Sequence, residues 1–329
     1  MTNEKNLKVL SLINNLILER FKDGSCSLVK DFKKVDLLDG FLNEPRNYIT
    51  DKAYTGVNRA LLPSGYYVSF TQAHELGGKV KKGAKSYVAY AFFTTDYVRY
   101  KHKQENGEVV EKVATKESFE KHKTEDDEIV EEWQTFSSRY YRLFNINDCE
   151  GLPKYEREIV KTKPALAIPS DKLNPLAEYV IKLNVEQKQD HPTLQKNCDI
   201  KCSAYSPAKD RIYMKPFNEY KTSSDYYKNL FHELSHSTGK DTRLNREGIT
   251  KADAKFGSEK YSVEELIAET TAMYCMQKLN LLTFEELDSS KEYLKSWYDH
   301  LQDPLKKDPR LLIKVFSQAE KSVNYIFSK

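Results

Sequence analysis

Between Ser224 and Gly239 the chain reads SDYYKNLFHELSHSTG, and this stretch leaves little freedom in what it can become. A capping residue stands at one end and a glycine at the other. Between them Tyr227, Leu230, Phe231 and Leu234 recur at the three- and four-residue spacing of one amphipathic helix. On such a helix His232 and His236 sit one turn apart on one face, where two imidazoles can grip a tetrahedral zinc ion at about 2.0–2.1 Å. Glu233 projects beside them, placed to take a proton from water at the metal. The competing reading is a surface helix with two solvated histidines. Phe231 and Leu234 oppose it, because they would bury the flanks of the histidine face.

A zinc site of this kind needs a third protein ligand and keeps a fourth position for water. Residues 262 to 274 read as a second helix offering Glu264, Glu265 and Glu269. Glu265 and Glu269 lie one turn apart on one face, so one can ligate while the other accepts the N–H of a ligand histidine. Ser262-x-x-Glu265 also fits a capping box, which would turn Glu265 back onto the Ser262 backbone. We take Glu265 as the ligand and Glu269 as the supporting carboxylate, with Glu269 and Glu264 as the alternative ligands. Upstream, Ala204-Tyr and Ile212-Tyr-Met flank the turn Ser206-Pro-Ala-Lys-Asp210 as a hairpin. An edge strand at Ile212 to Lys215 would hold an extended peptide by strand addition, and Tyr205 or Tyr213 would be a donor to a developing oxyanion; the plain alternatives are an ordinary hairpin and packed strand tyrosines.

The first half has a different character. Residues 7 to 21 place Leu7, Leu10, Ile13, Ile17 and Phe21 at helical spacing, which predicts a helix docked on the core. From Lys52 to Lys103 nine Lys or Arg face two acidic residues and are threaded with ten Tyr or Phe. A strand is predicted at Tyr66 to Phe70, a short helix from Thr71 to Gly78 and another strand from Tyr87 to Thr94, with Lys79, Lys81, Lys82 and Lys85 in the loop between. Those lysines can track a phosphate backbone while neighbouring rings stack on unpaired bases. The plain alternative is core aromatics beneath a solvated lysine face. Residues 104 to 132 turn acidic and read as a solvated hairpin tip or insertion, and Phe136 to Ile146 returns to strand character. Prolines at 153, 164, 169 and 175 mark a change of periodicity near 155 to 170.

Taken together, these segments resemble the ArdC-type antirestriction proteins of conjugative plasmids, whose first domain also occurs in TraC-type plasmid primases. The pieces that carry the resemblance in the first half are Asn47-Tyr-Ile-Thr, Tyr54-Thr-Gly-Val-Asn-Arg-Ala-Leu-Leu62, the run from Phe70 to Gly83, and Tyr141 to Pro153. In the second half they are Ala204 to Ile212, the histidine helix, Arg243-Leu-Asn-Arg246, Phe256 to Glu269, Tyr293 to Leu301 and Ser317 to Tyr325. The resemblance implies a single-stranded-DNA-binding first domain and a zincin-like metallopeptidase second domain. It carries over His232, Glu233 and His236, supports Glu265 as third ligand, and marks Asn58 and Arg59 as DNA contacts. The chain departs from the family at Phe41-Leu-Asn-Glu-Pro, where a Pro-Trp segment is usual, and in the acidic stretch.

The expected fold class is α+β in two domains: a small α+β DNA-binding domain over residues 1–155, a linker over 156–172, and a mainly helical zincin-like domain with a short sheet over 173–329. A length of 329 residues fits two domains at about 100–200 residues each. With 39% hydrophobic residues, wholesale disorder is excluded. No run approaches the roughly 18 apolar residues of a membrane span, and the five cysteines lack a secreted framework, so a soluble protein of the reducing cytoplasm is expected. The expected cofactor is Zn2+, and the expected partners are single-stranded DNA and an unidentified protein or peptide substrate, with no membrane. The function expected is that of a mobile-element protein serving antirestriction or protection of DNA in transfer. Two other classes fit the same residues: a DNA-binding shield with a structural metal, and a cytosolic zinc peptidase whose first domain binds protein.

Overall fold

The structure, a computed structural model, describes residues 4–22, 44–62, 65–104, 106–153, 173–188, 190–253, 258–279, 281 and 301–328. The expected junction and linker, Cys26, the 41–43 part of the departing segment and most of Tyr293 to Leu301 lie outside the described residues.

Helix α1 (Glu4–Lys22) buries Leu10, Ile13, Ile17 and Leu18, as its spacing predicts. It docks far along the chain, where the Asn14 amide donates to the Pro309 carbonyl at 2.8 Å. Strand β1 (Arg46–Asn47) pairs in parallel with β2 (Tyr66–Ser69), and α2 (Val57–Leu61) lies between them in sequence. Helix α3 (Phe70–Glu75) starts from a capping box. Ser69 accepts from the Gln72 N–H at 3.1 Å while the Gln72 side chain accepts from the Ser69 N–H at 2.9 Å.

After β3 (Lys79–Val80) the chain enters β4 (Tyr87–Lys103), twice the predicted length. The acidic stretch is not a bare hairpin tip. It supplies β5 (Val109–Thr115), α4 (Lys116–His122) and the first residues of β6 (Glu128–Asn145), giving the sheet order β1-β2-β6-β4-β5. Buried Phe119 of α4 packs on Tyr100 with ring centroids 4.6 Å apart, a small core that lets a polar segment hold its shape. Strand β7 (Cys149–Glu150) closes this half by pairing with β3.

In the second half α5 (Pro175–Lys182) buries Ala177, Val180 and Ile181, whereas Leu176 is 54% exposed. The inward stripe runs through 177 and 181, one turn apart, so Leu176 falls beside it. Strands β8 (Thr193–Gln195), β9 (Ala204–Ser206) and β10 (Arg211–Tyr213) form a sheet in the order β8-β10-β9. The expected edge strand at Ile212 is therefore the central one, because β8 returns in parallel on its other side. The edges of this small sheet are β8 and β9.

Helices α6 (Ser223–Thr238), α7 (Glu247–Thr250), α8 (Glu259–Lys278) and α9 (Leu311–Phe327) complete the fold. Tyr227, Leu230, Phe231 and Leu234 of α6 join Leu266 and Tyr274 of α8 and Leu312, Val315 and Phe316 of α9 in one core. Each fully buried side chain of this size stabilises by about 1.5–3 kcal/mol. Ile13 and Ile17 of α1 and Val57, Ala60 and Leu61 of α2 belong to the same cluster. The first-half helices thus share the core of the second half, while two smaller clusters underlie the sheet.

Candidate functional site

Helix α6 is capped by Thr222, whose hydroxyl accepts from the Asp225 N–H at 3.0 Å, and it ends at Gly239, two residues earlier at the start than Ser224 implies. Helix α8 is capped by Ser258, which accepts from the Tyr261 N–H at 3.1 Å. Ser262 therefore lies inside the helix and makes no capping box. Glu265 is left to face the histidines.

The Nε2 atoms of His232 and His236 stand 3.1 Å apart. Glu265 presents Oε2 to His232 Nε2 and Oε1 to His236 Nε2, each at 3.4 Å. Ligands about 2.0–2.1 Å from a tetrahedral ion stand roughly 3.3–3.4 Å apart, so these three side chains have the spacing of three corners of such a site. They are also the group of His, Cys, Asp and Glu donors that converges tightly among the described residues.

The other ring nitrogens face carboxylates. His232 Nδ1 lies 3.4 Å from Glu269 Oε2, and His236 Nδ1 lies 3.1 Å from Glu264 Oε1. Protons on both Nδ1 atoms leave both Nε2 lone pairs directed at the shared centre, as metal-binding histidines require. Glu269 also meets Lys228 Nζ at 2.7 Å. Buried Arg246 holds Glu264 through Nε at 2.8 Å and Nη2 at 2.6 Å, and its remaining N–H groups reach the Thr238 and Ser322 hydroxyls and the Ser235 carbonyl. Gly248 makes this approach possible, since a Cβ there would stand 2.4 Å from that of Glu264.

Burial works to depress the histidine pKa values, yet the hydrogen bonds to Glu265 and Glu269 and the charge of Glu233 outweigh it and raise His232 to about 10. Glu269 is held at about 2: burial would raise it, but His232 and Lys228 prevail. Glu264 and Glu265 shift down against the same burial penalty, Glu264 through Arg246 and His236, Glu265 through both histidines. The pocket is thus built to concentrate positive charge.

Glu233 is 8% exposed, and its Oε2 accepts the backbone N–H of Tyr205 on the edge strand β9 at 2.7 Å. The Tyr205 hydroxyl donates to Asp210 Oδ1 at 2.8 Å, and burial together with that bond pushes its pKa up. Arg243 grips Asp210 at 3.0 and 2.6 Å, locking the hairpin against the segment after α6. Tyr205 enters the site through its backbone, with its hydroxyl engaged by the turn. Glu264 as a support of His236, Arg246 behind it and the Tyr205 N–H were all missed by sequence reasoning. Arg246 stood in a segment that carries the resemblance and could have prompted a search for its acidic partner.

The expected nucleic-acid contacts separate into two sets. Lys79, Lys81, Lys82 and Lys85 are all exposed at the β3–β4 connection. Lys79 meets Glu150 at 3.3 Å and Lys81 donates to the Asn147 carbonyl at 2.8 Å. Asn58 and Arg59 lie elsewhere. Asn58 bonds both backbone polar groups of Tyr90 at 2.7 Å. Arg59 is 3% exposed, stacked 4.0 Å above the Tyr274 ring, bonded to Gln277 at 2.7 Å and paired with Glu44 at 3.1 Å and Glu320 at 3.5 Å. It is turned inward and pins the first half to α8 and α9. The basic residues at the far end of β4 also meet acidic partners: Arg99 pairs with Glu131 at 3.1 Å and Lys101 with Glu128 at 3.7 Å.

This is a two-part α+β protein whose second part carries a zincin-like arrangement of two histidines and a glutamate. Residues 190–318 match the model of a zincin-like metallopeptidase domain, and residues 8–144 match that of the N-terminal domain of anti-restriction factor ArdC. Crystal structures of the antirestriction ArdC protein from R388 plasmid superpose with TM-scores of 0.64 (metal-free) and 0.62 (Mn(II)-bound), at 22% identity over 96% of each chain. A DNA primase TraC of Escherichia coli is 24% identical over 95% of this chain, which spans about a quarter (26%) of that protein. An uncharacterized protein, y4eC, of Sinorhizobium fredii is 22% identical over 88% of this chain and 82% of its own. The chain belongs to the ArdC-type family. No helix among the described residues is long and apolar enough to cross a membrane.

Proposed function

We propose that this chain binds single-stranded DNA through its first domain, up to about residue 155, and hydrolyses peptide bonds at a zinc centre in the domain from residue 173 onward. It serves antirestriction or protection of DNA in transfer as a cytoplasmic protein of a mobile element. The observation that carries the reading is the convergence of His232 Nε2, His236 Nε2 and Glu265 at 3.1–3.4 Å with Glu233 beside them.

His232, His236 and Glu265 would hold the metal, and their donor set of two imidazoles and one carboxylate suits zinc. A bound divalent ion supplies Lewis acidity toward a carbonyl oxygen and toward water. Glu269 and Glu264 fix the histidine tautomers. Glu233, held by the Tyr205 N–H, takes the proton from the attacking water and delivers it to the departing amine nitrogen. β9 is an edge strand beside Glu233, and an extended peptide pairing with it would compete with Glu233 for the Tyr205 N–H. In the first domain the exposed lysines meet phosphates, and about four such contacts give a single-strand slope of log K against log salt of about −3.

The test is elemental analysis of purified protein, joined to digestion of an unstructured protein such as casein with and without chelator, and to anisotropy of a labelled single strand at two salt concentrations. Metal at one equivalent, chelator-sensitive cleavage and salt-sensitive, strand-selective binding are expected. Metal without cleavage would leave a DNA-binding shield with a structural ion. Failure to bind DNA would leave a peptidase alone.

A further inference from the structure

We propose that the first domain holds one unpaired nucleobase in a pocket on its sheet, next to the lysine loop. The inference rests on the single-strand reading above and specifies where the strand is gripped. The pocket has a volume of about 450 Å³, within the roughly 300–1,000 Å³ of small-ligand sites. Ala89 and Ala91, two apart on β4 and so on one face, form its floor. Tyr141 stands directly across from Ala89 on β6 and is 46% exposed. Asn47, Tyr54 and Gln72 complete the rim.

The chemistry of this lining is that of a base and not of a phosphate. Among the described residues it holds carboxamides, hydroxyls and apolar groups, with no charged side chain. An exposed tyrosine ring offers a stacking platform, while amide and hydroxyl groups supply the mixed donors and acceptors that a Watson–Crick edge demands. These groups are held in place beforehand. Gln72 Oε1 is fixed by the Ser69 N–H at 2.9 Å, and Asn47 Oδ1 by the backbone N–H groups of Ile49 and Thr50 at 3.0 and 2.9 Å. Asn58 stiffens the wall by clamping the backbone of Tyr90.

Two placements support the assignment. Four separate segments of the chain, at Asn47, at Tyr54 and Asn58, at Gln72 and at Tyr141, line this one pocket. The lysine loop joins α3, which bears Gln72, to β4, which bears Ala89, and the four residues from Lys85 to Ala89 span at most about 14 Å.

The test compares anisotropy titrations of two labelled strands of equal length and charge, an oligothymidylate and a fully abasic strand. The wild-type protein is expected to bind the oligothymidylate about tenfold more tightly or better, the scale of one base stacked on a ring. Tyr141→Ala should abolish most of that preference and leave affinity for the abasic strand unchanged, and Ala91→Leu, which fills the floor, should do the same. Lys82→Ala should weaken both strands alike. Equal, salt-sensitive binding of both strands by the wild type would overturn the pocket and leave the single-strand reading standing. Salt-sensitive binding of neither strand would overturn both. A folded Tyr141→Ala protein that keeps its full preference for bases would also refute the pocket.

Discussion

His236 Nδ1 lies 3.1 Å from Glu264 Oε1, and both oxygens of that glutamate are held by buried Arg246. The imidazole is thereby oriented by a carboxylate that cannot itself swing away. Glu264→Gln is expected to lower zinc affinity by about 10- to 100-fold, the usual weight of such a support. Competition with a fluorescent chelator measures it, and an unchanged affinity would assign Glu264 to stability alone.

The Glu233 carboxylate is anchored by the Tyr205 N–H, a bond that a glutamine carbonyl can also accept. Glu233→Gln is therefore expected to retain metal and DNA binding and to lose about 10²–10⁴-fold in peptide hydrolysis. Elemental analysis beside a protease assay decides it; full cleavage by a clean preparation would remove Glu233 from the mechanism.

The histidine cluster should make chelated protein sensitive to base. His232 is raised to about 10 from an ordinary value near 6.5. A raised folded pKa contributes stability that is complete below about 6.5 and is lost as pH rises through about 10. With chelator, Tm should fall across that window. The stabilisation gained on adding zinc should grow across it, because the ligand nitrogens must be unprotonated. At the acid end Glu269, held at about 2, contributes stability present above roughly 4.3 that is lost as pH falls toward 2. Thermal scans with chelator and with zinc test both signs.

Arg59 bridges the two halves through Tyr274, Gln277 and Glu320. Arg59→Ala leaves the Glu320 carboxylate without that cation and should cost about 3–5 kcal/mol of stability. Denaturant titration measures this loss. The salt slope of DNA binding should stay unchanged, and a fall in that slope would return Arg59 to the DNA surface.

Lys82 and Lys85 should behave in the opposite way. Each Lys→Ala change is expected to reduce the single-strand salt slope by about 0.7 with Tm unaltered, because both side chains are exposed on a loop. Affinity measured over a salt series checks it.

Much of the second half was legible in the chain itself. The pairing of His232 with His236 follows from a helical period and two caps, which are local properties of about sixteen residues. Glu265 was legible only in part, since its neighbours allowed both a ligand and a capping box. The cap at Ser258, one turn before Ser262, removed the second possibility. The position of Ile212 in the middle of its sheet depends on β8, a strand paired from about eighteen residues away. No local pattern encodes that return. Arg59 shows the same division most plainly. The family resemblance marked it as a DNA contact, whereas the docking of α2 against α8 and α9 turns it inward, where an aromatic ring, an amide and two carboxylates compensate its burial. Local pattern sets which residues can be helical, which can bind metal and which lysines are free of local apolar partners. Tertiary structure decided which carboxylate faces which histidine, because those contacts join segments whose distance in space is set by core packing and not by their spacing along the chain.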